Sequence, residues 1–315
     1  MIQVDYRIGG KPRYFFLDKR KRLMKIPEHI RKCVGFLGYE DAEENYHAGG
    51  TAFFVTMSTP DWPDRCFRYA VTAAHVIKKI EKRPAGNCIF LRVNDRGSGT
   101  LKISSWSDEW YFHPKDDVAI MPISSNEPLD WLFWPMEGFA TNKTIKEIEV
   151  DVGDDVFLTG LFYYHTGTMR NVPIIRAGLI AAMPEEPVKI QSGTAEAYLI
   201  EAKSIGGLSG SPVFVRPESN IARTLKTEDP STIGRHDARV DSFWLLGLMY
   251  GHWDEHAVTI AMPDKANADR ISTGIGVVIP AQKIFETLHL PEVVAMRKKK
   301  EAEWHVQFAA TPDAS

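Results

Sequence analysis

Short apolar segments separated by turn-forming residues constrain the fold of this chain more than any other feature of its sequence. Eleven such segments follow residue 33, among them "GTAFFVTM", "DVAIMPI", "SPVFV" and "IGVVIP". Each is long enough for a β-strand but short for a helix, and 23 glycines and 19 prolines are available for the turns between them. The pattern predicts an all-β protein built as a sandwich or a barrel.

The length of 315 residues, of which 44% are hydrophobic, is sufficient for one large or two medium domains. The strand pattern lapses between about Asn126 and Glu149, which indicates a connector between two β units. The spacing of Ile284, Phe285 and Leu288 predicts a short helix near the carboxyl terminus. We therefore expect an amino-terminal extension (1–32), a first β unit with its connector (33–148), a second β unit with the helix (149–290) and a frayed, charged tail (291–315).

Charge and cysteine content narrow the partners and the compartment. A formal net charge of −3 argues against nucleic acid as a partner, and the basic runs "KRKRLMK" and "MRKKK" are typical of solvated surfaces. The sequence has no apolar run long enough for a signal peptide or a membrane span, so we expect no membrane partner. Cys33, Cys66 and Cys88 cannot all pair within the chain and form no CxxC motif, which favours a reducing, cytoplasmic location. We predict neither a cofactor nor a metal ion.

Three segments carry residue types that can combine into a nucleophilic site. "YAVTAAHVI" places His75 just after a predicted strand, "KDDVAIMPI" places Asp117 at the start of a buried strand, and "SIGGLSGSPVFV" places Ser209 among glycines. A serine hydroxyl is a weak nucleophile near neutral pH unless a base such as a neutral imidazole takes its proton. Each segment alone has an ordinary explanation, since Gly, Ser and Pro clusters also mark simple turns that lead into strands.

In the chain order His, Asp, Ser, the three segments closely resemble the trypsin-like (chymotrypsin-fold) serine peptidases. That family has T-A-A-H around its histidine, D-[apolar]-A-[apolar] around its acid and G-x-S-G-[GS]-P around its nucleophile, and all three match here. "AGGTAFFVT", "LLGLMYG" and "GIGVVIPAQKI" are similar to further strands of the family, so the resemblance covers roughly residues 33 to 290. It implies two six-stranded antiparallel β-barrels with a short C-terminal helix.

The resemblance also implies a serine endopeptidase that acts on a protein or peptide substrate through an acyl-enzyme intermediate. His75 would be the base, Ser209 the nucleophile and Asp117 the acid that orients the imidazole. Asp117 is preferred to Asp116 because only Asp117 stands in the D-V-A-I register. The backbone amides of Gly207 and Ser209 would form the oxyanion hole.

The substrate pocket implied by the resemblance has Lys203 at its floor. A lysine ammonium there predicts a preference for acidic or small polar residues before the scissile bond. Two points count against this preference. The histidine that glutamyl endopeptidases use for this purpose aligns here with Met249, and Lys203 can instead reach solvent along the loop while Glu201 or another acid neutralises it. The wall of the pocket would be formed by Met249, Tyr250, Gly251 and His252.

Two residues near Ser209 depart from the animal digestive members of the family. Leu208 replaces the acid that pairs with a newly cut amino terminus, so we expect no activation by that switch. Ser211 replaces the more usual glycine, as in bacterial glutamyl endopeptidases. Together with the unpaired cysteines, these departures bring the chain closer to bacterial members, including the HtrA class.

Three other interpretations remain at this point. An α/β-hydrolase would need a glycine at Ser211 and a helix rather than a β run after it. His252 and His256 could bind a metal if they lay on a helix, but the spacing lacks the glutamate placement of a zincin, which favours an ordinary surface loop. An inert trypsin-like fold that serves as a binding or scaffolding module would retain the same sequence pattern. The sequence does not identify a regulatory partner.

Overall fold

The computed structural model describes residues 26–59, 61–62, 65–83, 88–124, 128–190, 193–202, 207–217, 243–252 and 274–309. At His252 and over 307–309 only the backbone is described. The strands are β1 (Val34–Glu40), β2 (Tyr46–Ser58), β3 (Cys66–Thr72), β4 (Cys88–Asn94), β5 (Thr100–Trp106), β6 (Tyr111–Phe112), β7 (Ala119–Pro122), β8 (Trp134–Pro135), β9 (Asp155–Gly160), β10 (Ile174–Ala182), β11 (Val188–Ile190), β12 (Gly193–Ala195), β13 (Tyr198–Glu201), β14 (Pro212–Arg216), β15 (Trp244–His252) and β16 (Ile275–Pro280).

Helices occupy a smaller part of the described chain. The α-helices are α1 (Glu28–Lys32), α2 (Ala74–Glu81), α3 (Asn142–Glu147), α4 (Ala281–Leu288) and α5 (Pro291–Ala309), and single 3₁₀ turns lie at Ser107–Glu109, Met136–Gly138 and Tyr163–His165. None of the helices in this part of the chain combines the length and the apolar character that a membrane crossing needs.

The first unit is an eight-stranded sheet with the order β5-β4-β1-β2-β3-β7-β6, in which β8 pairs with β2. All its neighbours are antiparallel except β2 and β8, which run parallel through Val55 and Trp134. Strand β2 is 13 residues long and forms the centre of the sheet. Its middle residues Phe53, Phe54 and Val55 are buried because the sheet wraps around them and α2 covers one side.

The second unit is a closed barrel of six strands in the order β10-β13-β16-β15-β14-β9. Closure pairs the outer strands with each other, so the barrel has no exposed edge. Its interior is filled by fully buried apolar side chains of these strands, because alternate residues of each strand point inward. They include Val156, Leu158, Ile200, Val213, Met249 and Val278.

The predicted mostly-β architecture with a closed six-stranded barrel and a C-terminal helix is confirmed, and the two β units are consistent with a trypsin-like double barrel. The first unit differs in detail from a six-stranded barrel, because it has eight strands and no pairing between described residues joins β5 to β6. Two of the extra strands, β6 and β8, are only two residues long. Strands this short leave no clear alternation in the sequence.

The expectation of a frayed tail from residue 291 was wrong, because Pro291–Ala309 is a helix of 19 residues. Its Arg297 is only 6% exposed and donates hydrogen bonds to the Tyr69 hydroxyl (3.1 Å) and to the Leu288 carbonyl oxygen (2.7 Å). Trp304 stacks on Phe67 of β3, with 5.1 Å between the ring centroids. Only a few residues of this helix contact the rest of the protein, and most of the others are charged. Its sequence therefore lacks the regular apolar spacing that predicts a packed helix.

The loop between β9 and β10 (161–173) connects the second unit to the first by hydrogen bonds to β4. Arg92 of β4 donates to the carbonyl oxygens of Gly167 (3.0 Å) and Thr168 (3.2 Å). Asn171 donates its backbone amide to Asn94 (2.7 Å) and its side-chain amide to the carbonyl oxygen of Arg92 (2.6 Å). These hydrogen bonds fix how the two units meet, and the candidate site lies where they meet.

Replacement of Arg297 by methionine tests the docking of α5. Arg297→Met keeps the apolar stem but leaves the Tyr69 hydroxyl and the Leu288 carbonyl without their buried donor. We expect the free energy of unfolding, measured by urea denaturation, to fall by about 1–3 kcal/mol. The control is Lys300→Met on the same helix, where the side chain is half exposed and contacts Glu303, and it should change stability by less than about 1 kcal/mol. Equal losses in both variants would contradict the proposed docking.

Candidate active site

His75 is held by Asp117 through two contacts. It is the second residue of α2, which begins directly after β3. One carboxylate oxygen of Asp117 accepts the His75 backbone amide at 2.8 Å, and the other lies 2.5 Å from the imidazole Nδ1. Because Nδ1 contacts Asp117, Nε2 is the ring nitrogen that can accept a proton from another group. Within the described residues Nε2 has no hydrogen-bond partner. The carboxylate therefore fixes both the position and the tautomer of the ring.

Asp116, the rejected candidate for the acid, lies in a different environment. Its Oδ2 is 3.2 Å from Nδ1 of His113 and 3.8 Å from Nζ of Lys283. The structure thus places Asp117 and not Asp116 beside His75. Whether Asp117 acts in catalysis stays a prediction.

Ser209 lies in a tight turn that leads into β14. Gly207 and Gly210 have φ values of +102° and +81°, which residues with a side chain rarely adopt. The turn is closed by the Ser211 amide, which donates to the Leu208 carbonyl (2.9 Å), and by the Gly210 amide, which donates to Met249 of β15 (2.8 Å). The two glycines of the motif are therefore explained by backbone geometry.

The Ser209 hydroxyl donates to the carbonyl oxygen of Tyr250 at 3.0 Å. Within the described residues it makes no hydrogen bond to His75. The ring of Tyr250 packs edge-on against the His75 imidazole, with 5.2 Å between centroids. The structure thus brings His75 and Asp117 into direct contact and holds Ser209 through a residue that also contacts His75.

In the two proposed oxyanion-hole residues, Gly207 and Ser209, the backbone carbonyls are hydrogen-bonded, and the backbone amides have no partner among the described residues. The carbonyl oxygens of Gly207 and Ser209 accept hydrogen bonds from Thr51, at 3.1 and 3.0 Å. The amides of the same two residues donate to nothing in the part of the chain that the structure describes. Two unpaired amides beside a serine form a donor set suited to an anionic oxygen.

Sequence reasoning missed the residues that support this turn. Thr51 was noticed only as part of the strand segment "AGGTAFFVT", and Thr72, which donates to the Thr51 carbonyl at 2.7 Å, only as a small residue before His75. Tyr250 was predicted as a pocket wall, whereas its carbonyl holds the Ser209 hydroxyl. A polar residue buried on a central strand is the signal that could have identified Thr51.

The predicted substrate pocket is described only in part. Lys203 lies outside the described residues, and of His252 only the backbone is described, at the end of β15. Met249 is fully buried in the core of the second unit. A Cβ added to Gly251 would meet no atom of the described residues within 4 Å.

The metal hypothesis for His252 and His256 cannot be placed, because His256 lies outside the described residues. Over the ranges that the structure describes, no group of three or more His, Cys, Asp and Glu side chains is arranged to hold a metal ion.

Behind the candidate acid lies a charged network that joins its loop to α4. His113 accepts the Asp116 amide at Nδ1 (2.8 Å), and its Nε2 lies 3.2 Å from Oε2 of Glu286. Nζ of Lys283 lies 3.1 Å from Oε2 of Glu196 and 3.6 Å from Oε2 of Glu286. The network anchors the turn that precedes Asp117.

The electrostatics of this network favour its charged form. Burial alone would raise the pKa of Glu286, but the hydrogen bond from Gln282 and the charge of Lys283 bring it below its ordinary value. Burial alone would lower the pKa of Lys283, but the hydrogen bond to Glu196 and the neighbouring carboxylates raise it above its ordinary value. Both shifts favour the folded state around neutral pH.

Comparisons with known proteins add two structural likenesses. No family model matches the chain, and no curated protein matches it. The chain is similar to the MamO protease domain from Magnetospirillum magneticum in its apo form, with 17% sequence identity and a TM-score of 0.48 over 83% of this chain and 98% of that chain. It is also similar to the inactive form of a serine-to-alanine mutant of Rv3671c from M. tuberculosis H37Rv, with 16% identity and a TM-score of 0.39 over 81% of this chain and 85% of that chain. At these values the likeness carries nothing about activity, and the trypsin-like fold rests on the strand pairing of this chain.

A methyl group at Gly210 tests the packing of the serine turn. A Cβ at this position would overlap the Thr51 carbonyl oxygen and the Thr72 hydroxyl, in a backbone conformation with positive φ. Gly153 also has positive φ, but a Cβ there would meet no atom of the described residues within 4 Å, so Gly153→Ala isolates the backbone penalty of about 1–2 kcal/mol. We expect Gly210→Ala to reduce the free energy of unfolding by a further 1–3 kcal/mol or so. Equal losses in urea denaturation would show that the turn is not packed against β2 as described.

Replacement of Lys283 tests the charged network by its pH dependence. Because the pKa of Glu286 is lowered in the folded state, its contribution is present at neutral pH and is lost as the pH falls through that pKa. Lys283→Met should therefore be most destabilised near neutral pH, and its deficit against the wild type should shrink as the carboxylates protonate. Lys143→Met, which removes an exposed pair with Glu147, is the matched control and should show no such trend. Urea denaturation at several pH values measures both, and a deficit for Lys283→Met that is independent of pH would contradict the network.

Proposed function

We propose that this protein is a serine endopeptidase of the trypsin-like class, in which Ser209, His75 and Asp117 hydrolyse peptide bonds. The observation that carries the proposal is the contact of Asp117 with both the backbone amide and Nδ1 of His75, which leaves Nε2 without a hydrogen-bond partner among the described residues. Tyr250, whose carbonyl accepts the Ser209 hydroxyl, packs against the same imidazole. The amides of Gly207 and Ser209, which have no hydrogen-bond acceptor among the described residues, add the second element that acyl transfer requires.

The first half of the reaction begins when the Ser209 hydroxyl leaves the Tyr250 carbonyl by rotation about its Cα–Cβ bond. His75 Nε2 then takes the hydroxyl proton while Oγ bonds to the scissile carbonyl carbon, and Asp117 stabilises the imidazolium. The amides of Gly207 and Ser209 would donate to the anionic oxygen of the tetrahedral intermediate. Collapse of this intermediate breaks the C–N bond, and the imidazolium gives its proton to the leaving amine.

In the second half of the reaction, water replaces the leaving amine. His75 takes a proton from water, the hydroxide oxygen bonds to the acyl carbon, and the proton returns to Ser209 Oγ as the ester bond breaks. The chain would need no metal ion or cofactor for either half. The substrate is expected to be a protein or peptide, and the cytoplasmic location remains a prediction.

The kinship with HtrA-class and glutamyl endopeptidases is part of the same proposal. Leu208 is 2% exposed and packs in the apolar core of the second unit, which supports the expectation that no amino-terminal charge activates this enzyme. Ser211 is fully buried at the start of β14. The preference for acidic or small polar residues before the scissile bond remains a prediction.

A second candidate function is an inert fold that serves as a binding module. One observation favours it: the Ser209 hydroxyl donates to the Tyr250 carbonyl and not to the imidazole. The two candidates differ in the reactivity of Ser209, since an inert module has no reason to activate this hydroxyl. Covalent labelling by a fluorophosphonate separates them, because the reagent modifies activated serines.

The catalytic proposal makes a graded prediction for substitutions. Ser209→Ala and His75→Ala should each abolish fluorophosphonate labelling and lower the turnover of an activated ester by about 10⁶, and the double variant should lose little more. Such non-additivity is expected because the residues act as one unit. The modified residue is identified by mass spectrometry. Failure of the wild type to react would leave the binding module as the better explanation.

The same assay distinguishes the two neighbouring acids. Asp117→Asn should reduce turnover by about 10⁴, because the amide favours the wrong imidazole tautomer. Asp116→Asn is the matched control, since its carboxylate contacts His113 and Lys283 instead, and it should retain most of the activity. The reverse order of the two effects would show that the acid is assigned to the wrong residue.

A further inference from the structure

Thr51 uses every polar atom it has, although it is fully buried in β2. Its hydroxyl donates to the Gly207 carbonyl (3.1 Å) and accepts the Leu161 amide (2.9 Å). Its backbone amide donates to the Ser209 carbonyl (3.0 Å), and its own carbonyl accepts the Thr72 hydroxyl (2.7 Å). One residue of the first unit thus binds three residues of the second.

The contacts of Thr51 decide which groups of the serine turn remain available. The carbonyls of Gly207 and Ser209 are both occupied by Thr51, whereas the amides of these residues have no partner among the described residues. The Gly207 carbonyl shares its peptide unit with the Leu208 amide, and the Ser209 carbonyl shares its unit with the Gly210 amide. Thr51 therefore holds the peptide units on both sides of the one that carries the Ser209 amide. The Gly207 amide lies in the unit directly before the first of these, so a rotation of either amide would strain the hydrogen bonds to Thr51.

Gly207 needs such an external restraint. Its φ of +102° lies in a region where glycine has alternatives of similar energy, so its own backbone does not select one conformation. The next residue, Leu208, has an apolar side chain and can supply no polar anchor. Among the described residues, the Thr51 hydroxyl is the side-chain donor that fixes the Gly207 carbonyl.

We propose that Thr51 is the positioning residue of the oxyanion-hole turn: its hydroxyl sets the orientation of Gly207 and so keeps both amide donors open. This inference rests on the proposed peptidase function for its catalytic consequence. The restraint on the turn is a property of the fold and can be measured without any activity.

The test compares variants that differ mainly in the hydroxyl. Thr51→Val keeps the shape and removes the hydroxyl, whereas Thr51→Ser keeps the hydroxyl and removes a methyl group. Thr56→Val is the matched control, because Thr56 lies on the same strand and its hydroxyl donates to Phe67 (3.3 Å), away from the turn. Thermal unfolding establishes that each variant is folded. If Thr51→Val does not fold, Thr51→Ala is compared with Thr51→Ser, since these two differ by one oxygen atom.

Two readouts are expected to change together in Thr51→Val. Hydrogen–deuterium exchange should become faster in the peptide that covers 207–215, and remain close to the wild-type rate in Thr51→Ser and Thr56→Val. The kcat for an activated ester should fall by about 10²–10³ with little change in KM, as expected when an oxyanion donor is lost, and Thr51→Ser should restore it. A purely structural role would not produce this split between kcat and KM.

The outcomes separate this inference from the proposed function. Exchange over 207–215 that is the same in Thr51→Val and Thr56→Val would overturn the role of Thr51, whatever the activity. If the wild-type protein neither hydrolyses the ester nor reacts with fluorophosphonate, the peptidase proposal fails, while the exchange data still decide whether Thr51 restrains the turn. Unchanged kcat together with faster exchange would show that the restraint does not serve the oxyanion donors, which also overturns the inference.

Discussion

The contact between β2 and the Ser209 turn is the constraint on which the candidate site depends. His75, Asp117 and Thr51 belong to the first unit, whereas Gly207, Ser209 and Tyr250 belong to the second. Neither unit alone contains the arrangement, so the site forms only when the two dock. Buried hydrogen bonds suit this purpose because leaving such groups unpaired costs about 1–3 kcal/mol each, which strongly disfavours any shift of one unit against the other.

The sequence predicted those parts of the site that lie within single segments. His75, Asp117 and Ser209 stand in short motifs that can be recognised without the fold, and the structure brings the first two into contact. The roles of Thr51 and of the Tyr250 carbonyl could not be predicted in the same way, because their partners come from distant segments. The all-β class followed from strand periodicity, whereas α5 was missed because only a few of its residues pack and the rest are charged.

The adjacent aspartates Asp116 and Asp117 have the same side chain but make different contacts in the fold. The two acids lie in a tight turn, closed by the Val118 amide, which donates to the Asp116 carbonyl at 2.9 Å. Within this turn Asp117 faces His75, while Asp116 faces His113 and Lys283. The charged network on the Asp116 side anchors the turn to α4. A helix distant in sequence therefore supports the loop that presents Asp117, which explains why the C-terminal helix belongs to the architecture of the site.

The hydrogen bond from Ser209 to the Tyr250 carbonyl is compatible with a reactive serine. A neutral hydrogen bond contributes about 1 kcal/mol net, and the rotation that would break it lets the hydroxyl exchange one acceptor for another. The imidazole packs against the ring of the residue whose carbonyl accepts the Ser209 hydroxyl. A substrate whose backbone occupied the Tyr250 carbonyl would displace the hydroxyl from it and favour the imidazole. In such an enzyme, substrate binding itself would prepare the nucleophile.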